Sequence, residues 1–412
     1  LCQQLSDCDR IGFDTEFVSE DTFRPELCLV QVTSRHGMAV IDPQPIGDLD
    51  PFWRVLAEGN HVTIAHAARE EINFCLTAIG KPMANLFDTQ IASAFCSTEY
   101  PAAYSSVVTR FLGHHPNKGE QRTDWRRRPL SDDQLAYALE DVRYLFELHD
   151  VLCEKIEALG RTTWLTEETA NFETEVIASR TRQRWRKVSG IGGLGPRNLA
   201  IVRELWMWRQ AEAERRNIPP KRILRDDLLV ELAKRKTHQV DKIRAVRGMN
   251  YRPLKGALDE IAACVERGLA ADTHDLVARG PGAMPPQLQL LGQFLMPALT
   301  SICRNAQMAA SLTGTASDLR DMIAYELGFG NFKELEDDSP EDELPSLARG
   351  WRADFIGNLI DDLLMGRKSI RIENPRSEHP LGFIDAEGNS YATYEKVPTQ
   401  KLPRKRRRRK SG

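Results

Sequence analysis

The first third of the chain changes rhythm repeatedly between strand-like and helix-like spacing of apolar positions. Ile11 to Val18 and Leu27 to Thr33 predict neighbouring strands, and Gly37 to Ile41 a third before the turn at Asp42-Pro43. Leu49 to Glu58 is spaced as a helix, Val62 to Ala65 as a short strand, and Arg69 to Ile79 as a helix stopped by Gly80-Lys81-Pro82. Phe87 begins a further segment, and Leu130-Ser131-Asp132-Asp133 caps one long helix running to about Glu157. Strands alternating with helices define an α/β domain, assigned to residues 1–163. A short helix, Leu1 to Leu5, runs almost directly into the first strand, and the chain opens on leucine rather than methionine, so residues missing from the N-terminus are expected.

The pattern then turns wholly helical. Residues 164–195 read as a linker, basic from Arg180 to Lys187 and glycine-rich from Gly190 to Gly195, with Pro196 suited to starting a helix. The glycine spacing superficially resembles a dinucleotide loop, but no strand precedes it. Leu199, Val202, Leu205, Trp206 and Trp208 recur at helical spacing, and Leu228 to Ala233 and Leu254 to Val265 add helices, giving a compact all-helical module over residues 196–272. After a break at Gly280-Pro281-Gly282 a second helical block occupies residues 286–372, with an acidic loop from Glu334 to Glu343. Past about Asn374 nothing looks packable, and residues 373–412 are expected to be a disordered basic tail.

Composition changes the picture in one respect. The 56 basic and 59 acidic residues give a formal charge of −3, but eight basic residues and no acid lie between Lys401 and Lys410. Removing that +8 leaves −11 on the rest, so an acidic body carries a polycationic tail, the asymmetry of a protein that meets polyanions. No apolar run approaches the roughly 18 residues of a membrane span, and the start lacks the apolar region of a signal peptide. A cytoplasmic protein without membrane contact is expected, and nothing argues for more than a monomer. Eight cysteines, never spaced Cys-x-x-Cys, indicate neither a zinc module nor a redox pair.

Carboxylates carry the chemistry. In Phe13-Asp14-Thr15-Glu16-Phe17 the period of two puts Asp14 and Glu16 on one face of a strand and Phe13, Thr15 and Phe17 on the other. Two anions on one strand face amid apolar neighbours suit a hard divalent cation, although an exposed edge would also hold them. A spacing of four between Tyr137 and Asp141 puts hydroxyl and carboxylate on one helix face; a tyrosine at a buried face is the plainer reading of that pair taken alone. Glu70 and Glu71, adjacent at a helix start, cannot both face one site.

Taken in order, Phe13-Asp14-Thr15-Glu16-Phe17, His66-Ala67-Ala68-Arg69-Glu70-Glu71, Asp88-Thr89-Gln90, Arg122-Thr123-Asp124-Trp125 and Tyr137-x-x-x-Asp141 resemble ribonuclease D, within the DEDD exonucleases that have a tyrosine-type third motif. The resemblance implies a ribonuclease H-like fold, two divalent ions (Mg²⁺ or Mn²⁺) held by Asp14, Glu16, Glu71 and Asp141, and Tyr137 positioning or deprotonating the attacking water. The family usually has aspartate where Glu71 stands, and the extra methylene moves the carboxylate by about 1.5 Å. Retained but weaker, or Mn²⁺-favouring, activity is expected. The implied reaction removes nucleoside 5′-monophosphates from RNA 3′ ends, with transfer-RNA precursors or other structured RNA having a single-stranded 3′ end as substrates.

The block from Leu199 to Val265 resembles the HRDC module through Leu205-Trp206-Met207-Trp208-Arg209, Arg215-Arg216-Asn217-Ile218-Pro219 and Val246-Arg247-Gly248, and the second block resembles a divergent copy through Gly350-Trp351-Arg352. Trp206 and Trp208 read as core. His66 matches the family's histidine, with hydrogen bonding at the strand end expected before catalysis. Candidate nucleic-acid contacts are Phe17, His66, Lys221, Arg222, Arg225 and, in the tail, Arg406, Arg407, Arg408 and Arg409. A DNA exonuclease and a non-catalytic RNA-binding scaffold are the competing readings; no Gly-x-x-x-x-Gly-Lys-Ser/Thr loop is present, so the chain is not itself a helicase.

Overall fold

The computed structural model describes residues 1–391 apart from 117–118, 120–122, 250–253, 255, 277–284, 330–342, 378–379, 386 and 389. Arg122, the acidic loop except for Glu343, and Arg406 to Arg409 therefore lie outside the described residues. Five strands form one sheet: β1 (Arg10–Val18), β2 (Glu26–Ser34), β3 (Gly37–Ile41), β4 (Val62–Ala65) and β5 (Leu86–Asp88), in the order β3-β2-β1-β4-β5. β1, β2 and β3 form an antiparallel meander, and β4 and β5 run parallel to β1.

One face of the sheet is aromatic. Phe13 meets Phe52 and Trp53 of the helix Asp50–Glu58 edge-on, at 6.1 and 6.3 Å, and Phe17 meets Phe74 of the helix Arg69–Ile79 at 5.7 Å. The other face receives the helices Asp132–Arg143 and Leu145–Ala158. Gly12 permits that approach, since a Cβ there would lie 2.5 Å from Thr33 Cγ2 and 3.1 Å from Leu145 Cδ1.

Two helices stand where one long helix is predicted. Tyr104 Oη accepts from the Tyr144 N–H (3.2 Å) and donates to the Glu140 carbonyl (3.4 Å), inserting itself into the i to i−4 ladder. A hydroxyl from a distant helix thus breaks the element, and no local signal records it.

Residues 164–195 are likewise not a plain linker: the helix Thr162–Thr181 takes up their first half and packs on both the Glu71 helix and the C-terminal block. Its alternating Thr and Glu leave little apolar stripe to read. The module that follows has its own core around the helices Pro196–Arg216, Asp226–Arg235 and Leu258–Ala270, with Pro196 in the first turn as expected. Buried Arg209 donates to Asp226 (2.6 Å) and to the Leu224 carbonyl (2.9 Å). Trp206 and Trp208 pack at its margin.

The second helical block does not stand alone. Its helices Pro286–Asn305, Ala316–Leu327 and Gly350–Ile356 share one continuous core with the exonuclease sheet and the helix Leu145–Ala158. Phe95 meets Trp351 at 5.0 Å, Trp164 stacks on Trp351 at 5.8 Å, and the fully buried Arg161 donates to the carbonyls of Phe95 and Ala306. Beyond it, β6 (Lys368–Ile372), β7 (Leu381–Asp385) and β8 (Ser390–Tyr391) form an antiparallel sheet with Phe383 buried. The expectation that nothing packs after Asn374 is corrected to that extent: one apolar pair, Phe383-Ile384, among glycine, proline and acids is too short to register as a periodic run. Among the described residues all eight cysteines are free thiols, and no helix is long and apolar enough to cross a membrane.

Candidate active site

β4 ends at Ala65, paired only as far as Gly12, so β1 runs on with its β4-side edge open beyond residue 12. That crevice lies outside the carboxyl ends of the parallel strands, where α/β sheets collect ligands. Asp14 and Glu16 lie along it on one face, as the alternation predicts. Glu71 enters in the first turn of the helix Arg69–Ile79, buried while Glu70 is half-buried. Asp141 and Tyr137 arrive one turn apart on the helix Asp132–Arg143, which a Ser131/Gln134 capping box fixes at its start. The Tyr137 hydroxyl bonds the Asp141 carboxylate.

Charge coupling shows that the four acids form one cluster. Burial, then Glu71, Asp141 and Glu16, raise the Asp14 carboxyl well above its ordinary range. Burial, then Asp141 and Glu71, push Glu16 up to about 8. Burial also takes Asp141 to about 7 against the opposing Tyr137 bond, and Glu71 to about 7 against a bond from Thr15. No lysine or arginine is among the largest influences on any of the four. Among the described residues no three Asp, Glu, His or Cys side chains close into a ready cation cage, so the set is gathered but open.

Two supports place Glu71. Thr15, from the far face of β1, donates its hydroxyl to Glu71 Oε1 at 2.6 Å. Asp88, fully buried, accepts from the N–H groups of Ala67 and Ala68 (3.1 and 2.9 Å) as well as from Gln90 and Ile91 of its own helix (2.8 and 3.3 Å). The expected helix cap therefore also pins the turn that launches the Glu71 helix, where Ala67 takes φ +58°. Thr15 was missed in the sequence because alternation alone points it away from the carboxylates; its polarity between two phenylalanines is the signal that could have found it.

His66 makes hydrogen bonds at the strand end. Its Nδ1 lies 2.9 Å from Thr89 Oγ1 and its Nε2 2.9 Å from the Ala102 carbonyl, so both ring nitrogens are occupied inside the protein. Phe17 is half-buried against Phe74. In the helical module Lys221 and Arg225 are exposed and paired with Asp226 (3.4 Å) and Asp227 (2.9 Å).

Residues 1–157, which build the mixed five-stranded sheet, match the family described as 3′–5′ exonuclease, and residues 198–265 match the HRDC domain. A ribonuclease D of Nitrobacter hamburgensis is 30% identical over 91% of this chain and 95% of its own length, and one of Acidiphilium cryptum is 32% identical over 92% and 93%. The chain belongs to the ribonuclease D family and is a hydrolase of the 3′–5′ exoribonuclease class. The crystal structure of Escherichia coli RNase D shares the fold, with a TM-score of 0.74 at 24% identity over 89% of this chain and 95% of that one.

Proposed function

We propose that the chain removes nucleoside 5′-monophosphates one at a time from the 3′ ends of structured RNA, transfer-RNA precursors among them, at the cluster of Asp14, Glu16, Glu71 and Asp141. The observation that carries this is four buried acids gathered at one strand edge, where Glu71 and Asp141 raise both Asp14 and Glu16, an arrangement that is electrostatically costly unless positive charge joins it. The donor set fits divalent cations such as Mg²⁺ or Mn²⁺, being all carboxylate oxygen. When bound, two such ions supply Lewis acidity at the attacking and leaving oxygens of an in-line displacement. Asp14, Glu16, Glu71 and Asp141 would hold them. Asp141 orients the Tyr137 phenol through their hydrogen bond, and Tyr137 holds the attacking water in line with the terminal phosphodiester.

The helical modules and the basic tail are read as the RNA-holding part, with the second block a divergent HRDC copy. Release of mononucleotide from 3′-labelled single-stranded RNA and DNA, with Mg²⁺, Mn²⁺ or chelator, is the test. RNA-selective, chelator-sensitive release is expected, with Asp14→Asn lowering it by at least about 100-fold and Tyr137→Phe by about 10- to 100-fold. Release from DNA at an equal rate would favour a DNA exonuclease, and retained binding without release a scaffold.

A further inference from the structure

β1 and β2 lose register between Glu16 and Phe17, whose partners are Leu29 and Leu27, so Cys28 bulges out of the ladder beside the site. Its carbonyl is taken by Arg128, whose Nη2 donates to it at 2.9 Å. The same guanidinium forks onto Asp42, Nε to Oδ2 at 2.6 Å and Nη2 to Oδ1 at 2.8 Å, and its Nη1 donates to the carbonyls of Trp125 (2.7 Å) and Arg127 (2.8 Å). One half-buried side chain thus fastens the loop at residues 124–128 to the bulge of β2 and to the turn after β3. Gln44 adds a tie, donating from Nε2 to the Arg126 carbonyl at 3.2 Å.

The fastened loop carries Trp125, which is 2% exposed and packs with Cys28, Leu29 and Ala138 in a small core of its own. Tyr137 lies against that core, its ring 6.1 Å from the Trp125 ring and tilted by 39°. The phenol is therefore held from two sides, by Asp141 at the hydroxyl and by Trp125 behind the ring.

We propose that Arg128, through Asp42 and the Cys28 and Trp125 carbonyls, is a positioning residue that sets Trp125 as the back wall of Tyr137 and so fixes where the phenolic hydroxyl stands in the exonuclease site. This rests on the reading of Tyr137 given above. Lysine cannot replace it in full, because a point donor cannot fork onto Asp42 while reaching both carbonyls. The contribution belongs to orientation, so it falls on kcat rather than on binding of the RNA.

Two measurements on the full chain test it. In the first, Arg128→Ala and Arg128→Lys are compared with and without Tyr137→Phe. The expectation is a loss in kcat of about 10-fold for alanine and less for lysine, KM within about 2-fold, and almost no further loss when Phe replaces Tyr137. Equal losses in both backgrounds, or no loss with Tyr137 present, would overturn the proposal. The second follows ring position without activity, by ¹⁹F resonances of 3-fluorotyrosine protein, with Tyr137 assigned from its disappearance in Tyr137→Phe. Its resonance should move in Arg128→Ala and stay in place in Arg127→Ala, whose side chain is 84% exposed. An unmoved resonance rejects the wall. If Tyr137→Phe retains full activity while the resonance moves, the role given to Tyr137 fails and the positioning contact stands.

Discussion

The length of the Glu71 side chain is used: its carboxylate reaches the Thr15 hydroxyl at 2.6 Å. Glu71→Asp shortens that reach by about 1.5 Å and strands a buried hydroxyl, so activity should fall about 3- to 10-fold rather than rise. Thr15→Val in the same assay should reproduce most of the loss. The site acids also predict a pH dependence. Their folded pKa values are raised, so as pH climbs from about 4 the unfolded chain releases protons first, and the chelated protein loses stability up to the neighbourhood of pH 8. Thermal unfolding in chelator should give a lower midpoint at pH 8 than at pH 5.5, and added Mg²⁺ should raise the midpoint more at pH 8. A flat chelated profile would mean that burial does not hold these acids above their ordinary range. The acids themselves are legible in the sequence because period and motif spacing place them; the hydroxyl that orients Glu71 is not, since it comes from the opposite face of the same strand.

At the scale of elements, Asp88 joins β5 to the start of the Glu71 helix through the N–H groups of Ala67 and Ala68 while it caps its own helix through those of Gln90 and Ile91. Asp88→Asn turns one acceptor oxygen into a donor facing an N–H, which should cost about 2–3 kcal/mol in urea unfolding and lower activity beyond what stability explains. Four of the five strands of the exonuclease sheet and both helices flanking β4 are readable from apolar spacing, because each buries one face locally, whereas β5, three residues long, is too short to show a period. The break at Tyr144 is not, since the group that breaks it, the Tyr104 hydroxyl, comes from a helix about forty residues away. The Trp125 loop escaped for the same reason: its anchor, Asp42, is 86 residues from Arg128 and reads as an ordinary turn residue.

Among the described residues, two ties join the helical modules to the exonuclease domain. At one, Asn217, left-handed at the end of the helix Pro196–Arg216, accepts from the N–H groups of Phe23 and Arg24 in the turn after β1, and Arg24 pairs with Glu214. At the other, the C-terminal block shares the exonuclease core around Phe95, Arg161 and Trp351. Trp351→Ala should therefore cost about 3–5 kcal/mol and destabilise the exonuclease fold itself, which hydrogen exchange in the helix Leu145–Ala158 would report. The two-module reading of residues 196–372 could not anticipate this, because a helix pattern shows which face is apolar and not which neighbour covers it. The second tie also sets an order of events in the cell. Trp351 leaves the ribosome 187 residues after Trp164, an interval of about 10–40 s at ordinary elongation rates. For that time the nascent chain already has all four acids but lacks the part of the core that Trp351 completes, so a chain truncated before Trp351 is expected to be cleaved faster by protease than the full chain.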